Sequence, residues 1–400
     1  MRLARVVPVT LVAAALLVIA ATASSARAHK GATGTPIVIG AAVDLTKNMS
    51  PFDAPALAAA KIEIAKINAA GGVDNHPLKL QVFNTQLDPN QTKQDATKLV
   101  SQNVNIGWVT CDVDYSTPSI QVFLQAKLLT VSPCIGTDQM GPSRFGAAGK
   151  LAFTFGNAAQ DEGAAMAEWA YSKGWTTADV VTDNLLVYFQ NVCQAFSARF
   201  QQLGGKIVDK ESFKQGDKTI GNVATRVHGK PAKMIAFCTS FANDQPAFVT
   251  ALRSLGDQTP IMNSWAGDGA YWWSKNPKVT NFYFVTYAAA VARDPDPAVR
   301  AFEAKLKAAG TPAFSGGFIT GVDAIDAIAY AIKQTGGSTD GAKLAAVLSH
   351  LHNFKTLGGP ISFTPTFHSA TGRPYRVIEV NNNVAKVVGE HTTKVIPNIH

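Results

Sequence analysis

Beyond residue 35 the chain repeats one pattern: a short apolar run, a longer stretch with apolar residues at helical spacing, and a turn marked by Gly or Pro. Residues 36–42, Pro-Ile-Val-Ile-Gly-Ala-Ala, are continuously apolar, as a strand covered on both faces requires. Residues 54–70 are Ala-rich, carry Ile62, Ile64, Ala65 and Ile67 at helical spacing, and stop at Gly71-Gly72. Alternation at 78–83 predicts a strand, and Asp88-Pro89-Asn90 opens a helix to about Val100. A strand at 106–110, a helix at 118–126 and a strand at 128–132 follow. About four strand–helix units before residue 135 predict a parallel α/β sheet.

A second series begins near 155. Helices are predicted at 160–171, 187–203 and 245–255, and strands at 178–182, 206–209, 233–238, 260–262 and 282–287. The chain then turns helical at 297–309, 321–334 and 341–351, and closes with β-like pieces at 361–363, 375–380 and 384–388. Two series imply two sheets, and late helices without matching strands imply a chain that returns to cover an earlier domain. At roughly 150 residues per domain, 400 residues accommodate two.

The first 28 residues stand apart. Arg2 and Arg5, an apolar core at 11–20 and Ala26-Arg27-Ala28 read as a secretory signal with its cleavage site. The uncharged stretch 6–23 is 18 residues long, so an uncleaved anchor stays open as the alternative. No Cys follows the apolar core to take a lipid, so a soluble protein of the periplasm or cell envelope is expected. Net charge is +8, or +5 without Arg2, Arg5 and Arg27, and no Lys/Arg-rich run accompanies it; nucleic acid is not an expected partner.

Export places the four Cys in an oxidising compartment. Cys111 ends one apolar run and Cys134 follows another; if the two strands are neighbours, a spacing of ~4.8 Å suits a disulfide. Cys193 and Cys238 then pair by elimination, with four free thiols as the alternative. No C-x-x-C spacing supports redox or zinc chemistry. His350 and His352 are the only close His pair, and without acidic or Cys neighbours they read as a solvated helix end. No metal and no cofactor is expected. G-x-S-x-G, S-x-x-K, H-E-x-x-H and the P-loop pattern are all absent. An exported hydrolase using Ser240, Asp183 and a distant His is the remaining enzyme reading.

Three segments carry a resemblance: Pro36-Ile-Val-Ile-Gly-Ala; Ala58 to Val73 with its Ala-x-Ile-Asn-x-x-Gly-Gly-Val ending near Pro77-Leu-Lys-Leu; and Leu357-Gly-Gly-Pro-Ile-Ser-Phe-Thr364. With Asp88-Pro89 and Val131-Ser-Pro133, the chain from about 35 to 390 resembles the type I periplasmic binding proteins, more narrowly the leucine/isoleucine/valine-binding family of ABC-transporter substrate-binding proteins. The resemblance implies an α/β fold of two Rossmann-like lobes joined by a three-crossing hinge near 156, 288 and 358. Lobe 1 is then 29–156 with 288–357, and lobe 2 is 157–287 with 358–400. It further implies a monomer that captures a small molecule between the lobes for the membrane permease of an ABC importer, without catalysis. A ligand-sensing ectodomain that signals through a membrane partner is the alternative.

Open α/β sheets bind ligands beyond the carboxyl ends of their strands. The loops so placed, which the resemblance also selects, contain Phe52; Asp112, Asp114, Tyr115 and Ser116; Cys134, Ile135, Gly136 and Thr137; Tyr188; Phe241; and Trp265 with Asp268. Asp112 stands where amino-acid binders of the family offer a hydroxyl to the ligand carboxylate, and Trp265 stands at their acidic position. An ionised Asp112 accepts only, so it favours hydroxyl, amide or cationic donors and a ligand with an apolar or ring-shaped body. The alternative for Asp112 and Asp114 is helix capping.

Overall fold

Two separate sheets take up the repeating pattern in a computed structural model that describes residues 32–399. The leader assigned to 1–28 lies outside the described residues. The first series runs β1 (Ile37–Val43), α1 (Ser50–Ala69), β2 (Leu78–Asn84), α2 (Pro89–Ser101), β3 (Ile106–Val109), α3 (Val113–Gln125), β4 (Leu129–Ser132), α4 (Pro142–Phe145) and β5 (Ala152–Asn157). The second runs α5 (Ala159–Ser172), β6 (Thr177–Asp183), α6 (Val187–Gln202), β7 (Lys206–Phe213), α7 (Ile220–His228), β8 (Met234–Cys238), α8 (Asp244–Ser254), β9 (Ile261–Asn263) and β10 (Phe282–Thr286). Then come α9 (Pro297–Ala308), α10 (Phe318–Gln334), α11 (Gly341–Leu348), β11 (Phe354–Thr356), β12 (Gly359–Thr364), β13 (Phe367–Thr371), β14 (Tyr375–Asn381) and β15 (Val384–His391).

The first sheet has the order β11-β12-β13-β5-β4-β3-β1-β2 and the second β15-β14-β10-β9-β8-β6-β7. From β13 to β2, and from β10 to β7, every neighbouring pair is parallel. The hairpin strands β11, β12, β14 and β15 add on antiparallel. The late helices do return: Ile325, Ile328 and Ile332 of α10 are fully buried with Ile39 and Phe155 of the first sheet. Gly321 permits this, because a Cβ there would collide with the Ala56 carbonyl of α1. In the second lobe Phe237 stacks on Phe248 at 4.2 Å within its own core.

The structure departs from the sequence reading in several places. The strands at 359–371 pair with the first sheet, not the second, so the chain crosses between Thr371 and Tyr375 instead of near 358. Phe363 of β12 packs edge-on against Phe153 and Phe155 at 5.5 and 5.4 Å, and this apolar contact keeps the hairpin on β5. Helix α3 starts at Val113, with Pro118 inside it, because Asp112 caps it. Strands β5, β11 and β13 and helices α4 and α7 belong to no predicted element.

Candidate functional site

The loops after β1, β3 and β4 meet those after β6, β8 and β9 and enclose a narrow cleft. Met49, Phe52, Cys111, Asp112, Cys134 and Gly136 supply its first-lobe wall. Leu186, Tyr188, Phe189, Ser240, Phe241, Trp265 and Ala266 supply the second-lobe wall.

Local chemistry places each of these. The Asp44 carboxylate accepts the N–H groups of Thr46, Lys47 and Met49, which turns the chain sharply after β1. Pro51 then preorganises the first turn of α1, and Phe52 follows it into the cleft. Asp53 ties that turn to the neighbouring loops by accepting from Cys111 N at 2.8 Å and Asp44 N at 3.0 Å. A disulfide joins Cys111 and Cys134 at the ends of the adjacent strands β3 and β4, Cα atoms 4.7 Å apart. A second joins Cys193 to Cys238 at 5.8 Å. Asp53, Cys111 and Cys134 are the one grouping of potential metal-ligand atoms among the described residues, and its sulfurs are bonded to each other.

Asp112 is the helix cap, and its side chain also reaches the cleft. Its Oδ1 accepts the N–H groups of Asp114 and Tyr115 at 2.9 and 3.0 Å, capping α3, while the side chain also lines the cleft. Burial, together with the adjacent Asp114 charge, pushes its carboxyl up to about 7 against the pull of the two N–H bonds and Arg144.

On the other side, Tyr188 sits in the first turn of α6. Its hydroxyl meets Glu162 at 2.5 Å and Ser264 Oγ at 2.9 Å. Tyr287 donates to the other Glu162 oxygen, and burial pushes the Glu162 carboxyl up to about 8. Phe241 holds φ of 73°, a left-handed conformation that costs a bulky residue about 1–3 kcal/mol. That strain turns its ring into the wall. Phe52 stands edge-on to Trp265 at 4.9 Å and to Phe241 at 6.4 Å, so rings from both lobes touch across the cleft.

Polar bonds also cross between the lobes. Val187 N donates to Asp114 Oδ2 at 2.9 Å, and Thr137 Oγ1 donates to Asn191 Oδ1 at 3.0 Å. Gly136 lies directly against the Tyr188 ring. The lobes are closed.

Of the residues expected at the site, Phe52, Asp112, Cys134, Gly136, Tyr188, Phe241 and Trp265 come together on the cleft wall. Asp114 and Thr137 instead make the contacts between lobes described above. Ser116 bonds back into its own helix, to the Asp112 carbonyl. Ile135 packs into the first-lobe core, and half-buried Tyr115 packs beside the cleft. Asp268 is buried behind Trp265, accepting from Thr286 Oγ1 and Gly316 N at 2.6 Å each. Sequence reasoning missed Met49, Leu186, Phe189, Ala266 and the Glu162–Tyr287 support. The apolar run Leu185-Leu-Val-Tyr-Phe189 directly after a strand was the signal for two of them. Ser240 donates to the Ala266 carbonyl at 2.9 Å, and the residues that line the cleft include no histidine.

The comparisons with known proteins agree with this architecture. The family model for periplasmic binding proteins matches residues 36–385. The chain belongs to that family. An amino acid binding protein of Pseudomonas aeruginosa is 24% identical over 202 residues, 50% of this chain and 53% of its own length; the chain thus spans about half of that curated relative. Among solved structures, the branched-chain amino acid transporter substrate binding protein of Streptococcus pneumoniae in complex with isoleucine superposes with a TM-score of 0.74 at 19% identity, over 90% of this chain and 100% of that one. A leucine binding protein from Thermotoga maritima gives 0.75 at 19%, covering 89% and 99%. A solute binding protein of Rhodopseudomonas palustris in complex with 3,4-dihydroxybenzoic acid gives 0.74 at 18%, covering 91% and 99%. Among the described residues no helix is long and apolar enough to cross a membrane.

Proposed function

We propose that this periplasmic binding protein is exported, captures a small molecule between its lobes as a monomer, and hands it to the membrane permease of an ABC importer without changing it chemically. The observation that carries this reading is the cleft itself: two lobes, joined by chain crossings, close aromatic walls over it. Similar proteins hold isoleucine or an aromatic acid, which supports a small organic solute here. The cleft wall carries a carboxylate and no basic side chain. A ligand without a free carboxylate on the Asp112 side fits it best.

The test is a binding screen by thermal shift over amino acids, amides, aromatic acids and polyols, followed by uptake of the bound compound into vesicles carrying the permease. A compound that stabilises the protein and is taken up unchanged, only when the protein is added, is the expected result. Turnover of a bound compound by the purified protein, lost on mutating a cleft residue, would overturn it.

A further inference from the structure

Three features of the cleft point to one ligand chemistry. Its only ionisable acid is Asp112, and no Lys, Arg or His contributes to the wall. Phe52, Tyr188, Phe189, Phe241 and Trp265 line it as well, neighbouring rings being inclined at 60–73° to one another. Inclined rings form walls, and aromatic walls attract a desolvated cation through their quadrupoles. Trp265, whose ring lines the cleft, has its Nε1 buried without a hydrogen-bond partner.

We propose, resting on the binding-protein reading above, that the cleft takes a compact organic ammonium ion that carries an oxygen acceptor, with the rings as its cage and Asp112 as its counter-charge. A ligand carboxylate has no cationic partner in this cleft and would meet Asp112 instead. An ammonium group resolves the imbalance. Its apolar substituents lie on the rings, its charge faces Asp112 Oδ2, which takes neither capping N–H bond, and its oxygen accepts from Trp265.

The pH dependence follows from the surroundings of Asp112. Asp114 on the same helix raises its carboxyl, Arg144 from α4 and the N–H groups of α3 lower it, and the Cys111–Cys134 disulfide beside it does not titrate. Asp44 and Asp183 act on the adjacent Tyr115. Burial and the Asp114 charge raise the carboxyl to about 7. A cation binds the ionised form, so affinity rises about tenfold per pH unit below that point and levels off above it. A neutral ligand lacks this slope, and an anionic one reverses it.

The experiment is calorimetric titration of the full mature protein with choline, tetramethylammonium, the neutral carbon isostere 3,3-dimethylbutan-1-ol, benzoate and isoleucine, from pH 5.5 to 8.5. Choline is expected to bind most tightly and the isostere about 10- to 30-fold more weakly. Asp112→Asn keeps a competent helix cap, and is expected to weaken choline and flatten its pH profile; Glu162 and Asp268 remain in that variant, so the flattening reports Asp112 alone. If benzoate or isoleucine binds while the cations do not, or if the isostere equals choline, the ammonium assignment is wrong and the binding-protein reading stands. If no compound of any class binds, here or in the wider screen, both fail.

Discussion

Gly136 sits where the lobes touch, and Gly136→Ala perturbs closure with little effect on either lobe. A Cβ there would lie 2.7 Å from Tyr188 Cδ2 and closer still to Cε2, while its nearest first-lobe neighbour, the Asn157 carbonyl, is at 3.4 Å. Carbon atoms pack at about 3.5–4.0 Å, so the overlap is about 1 Å and falls almost wholly between lobes. Gly136 has no positive φ, so the backbone tolerates alanine. Relief requires Tyr188 to leave Glu162 and Ser264, or the cleft to open. Overpacking of this kind costs about 1–3 kcal/mol, which predicts a Kd about 5- to 150-fold weaker for any cleft ligand. Titration calorimetry reads the affinity, solution scattering reads the opening of the empty protein, and thermal unfolding checks that the lobes stay intact. A Kd within twofold of wild type, with unchanged scattering, would refute the closure argument.

Removing the Cys193–Cys238 disulfide, which spans 45 positions, is expected to destabilise by up to ~4 kcal/mol in the chain-entropy model, measured by urea unfolding of the double Ala variant. Glu162, buried and raised to about 8, keeps in the folded state a proton that the unfolded chain releases near its ordinary value of 4.5. Its contribution to stability therefore declines as pH rises through that window, by at most ~1.4 kcal/mol per unit. Glu162→Gln should lack the decline, and parallel unfolding curves for the two proteins from pH 5 to 8 would contradict it. Arg373 and Asp323 form a fully buried pair at 2.7 Å beside the third crossing, so Arg373→Ala is expected to cost about 3–5 kcal/mol, against which a shift below 1 kcal/mol in chemical denaturation would count. Asp114→Ala removes the N–H acceptor that the first lobe offers to α6; ligand release should quicken a few-fold with Tm nearly unchanged.

Much of the fold was legible because two-sided burial leaves an unmistakable mark. The continuous apolar run at 36–42 became β1, and Asp88-Pro89 became the cap and first turn of α2. The pairing of Cys111 with Cys134 followed from strand order. The hairpin at 359–371 was misplaced for a physical reason: Ile361 and Phe363 show that β12 buries one face, but only the rings of Phe153 and Phe155 decide which sheet that face covers. Strand β5 escaped notice although every residue in it is buried. At the site, position after a strand was enough to select Phe52, Tyr188, Phe241 and Trp265. It was not enough to separate wall from support. Asp114 and Asp268 lie in the right loops, yet one is spent on the opposing helix and the other on a crossing loop, and such bonds between residues distant in sequence leave no trace in local pattern.

The most direct test of the account is a crystal structure of the protein with the compound that stabilises it most in the thermal-shift screen. The account predicts that compound between Phe52 and Trp265 with the lobes closed over it, in contact with Asp112. Density only outside the cleft, for example in the groove between α6 and β7 lined by Thr182, Gln194 and Glu211, would contradict it.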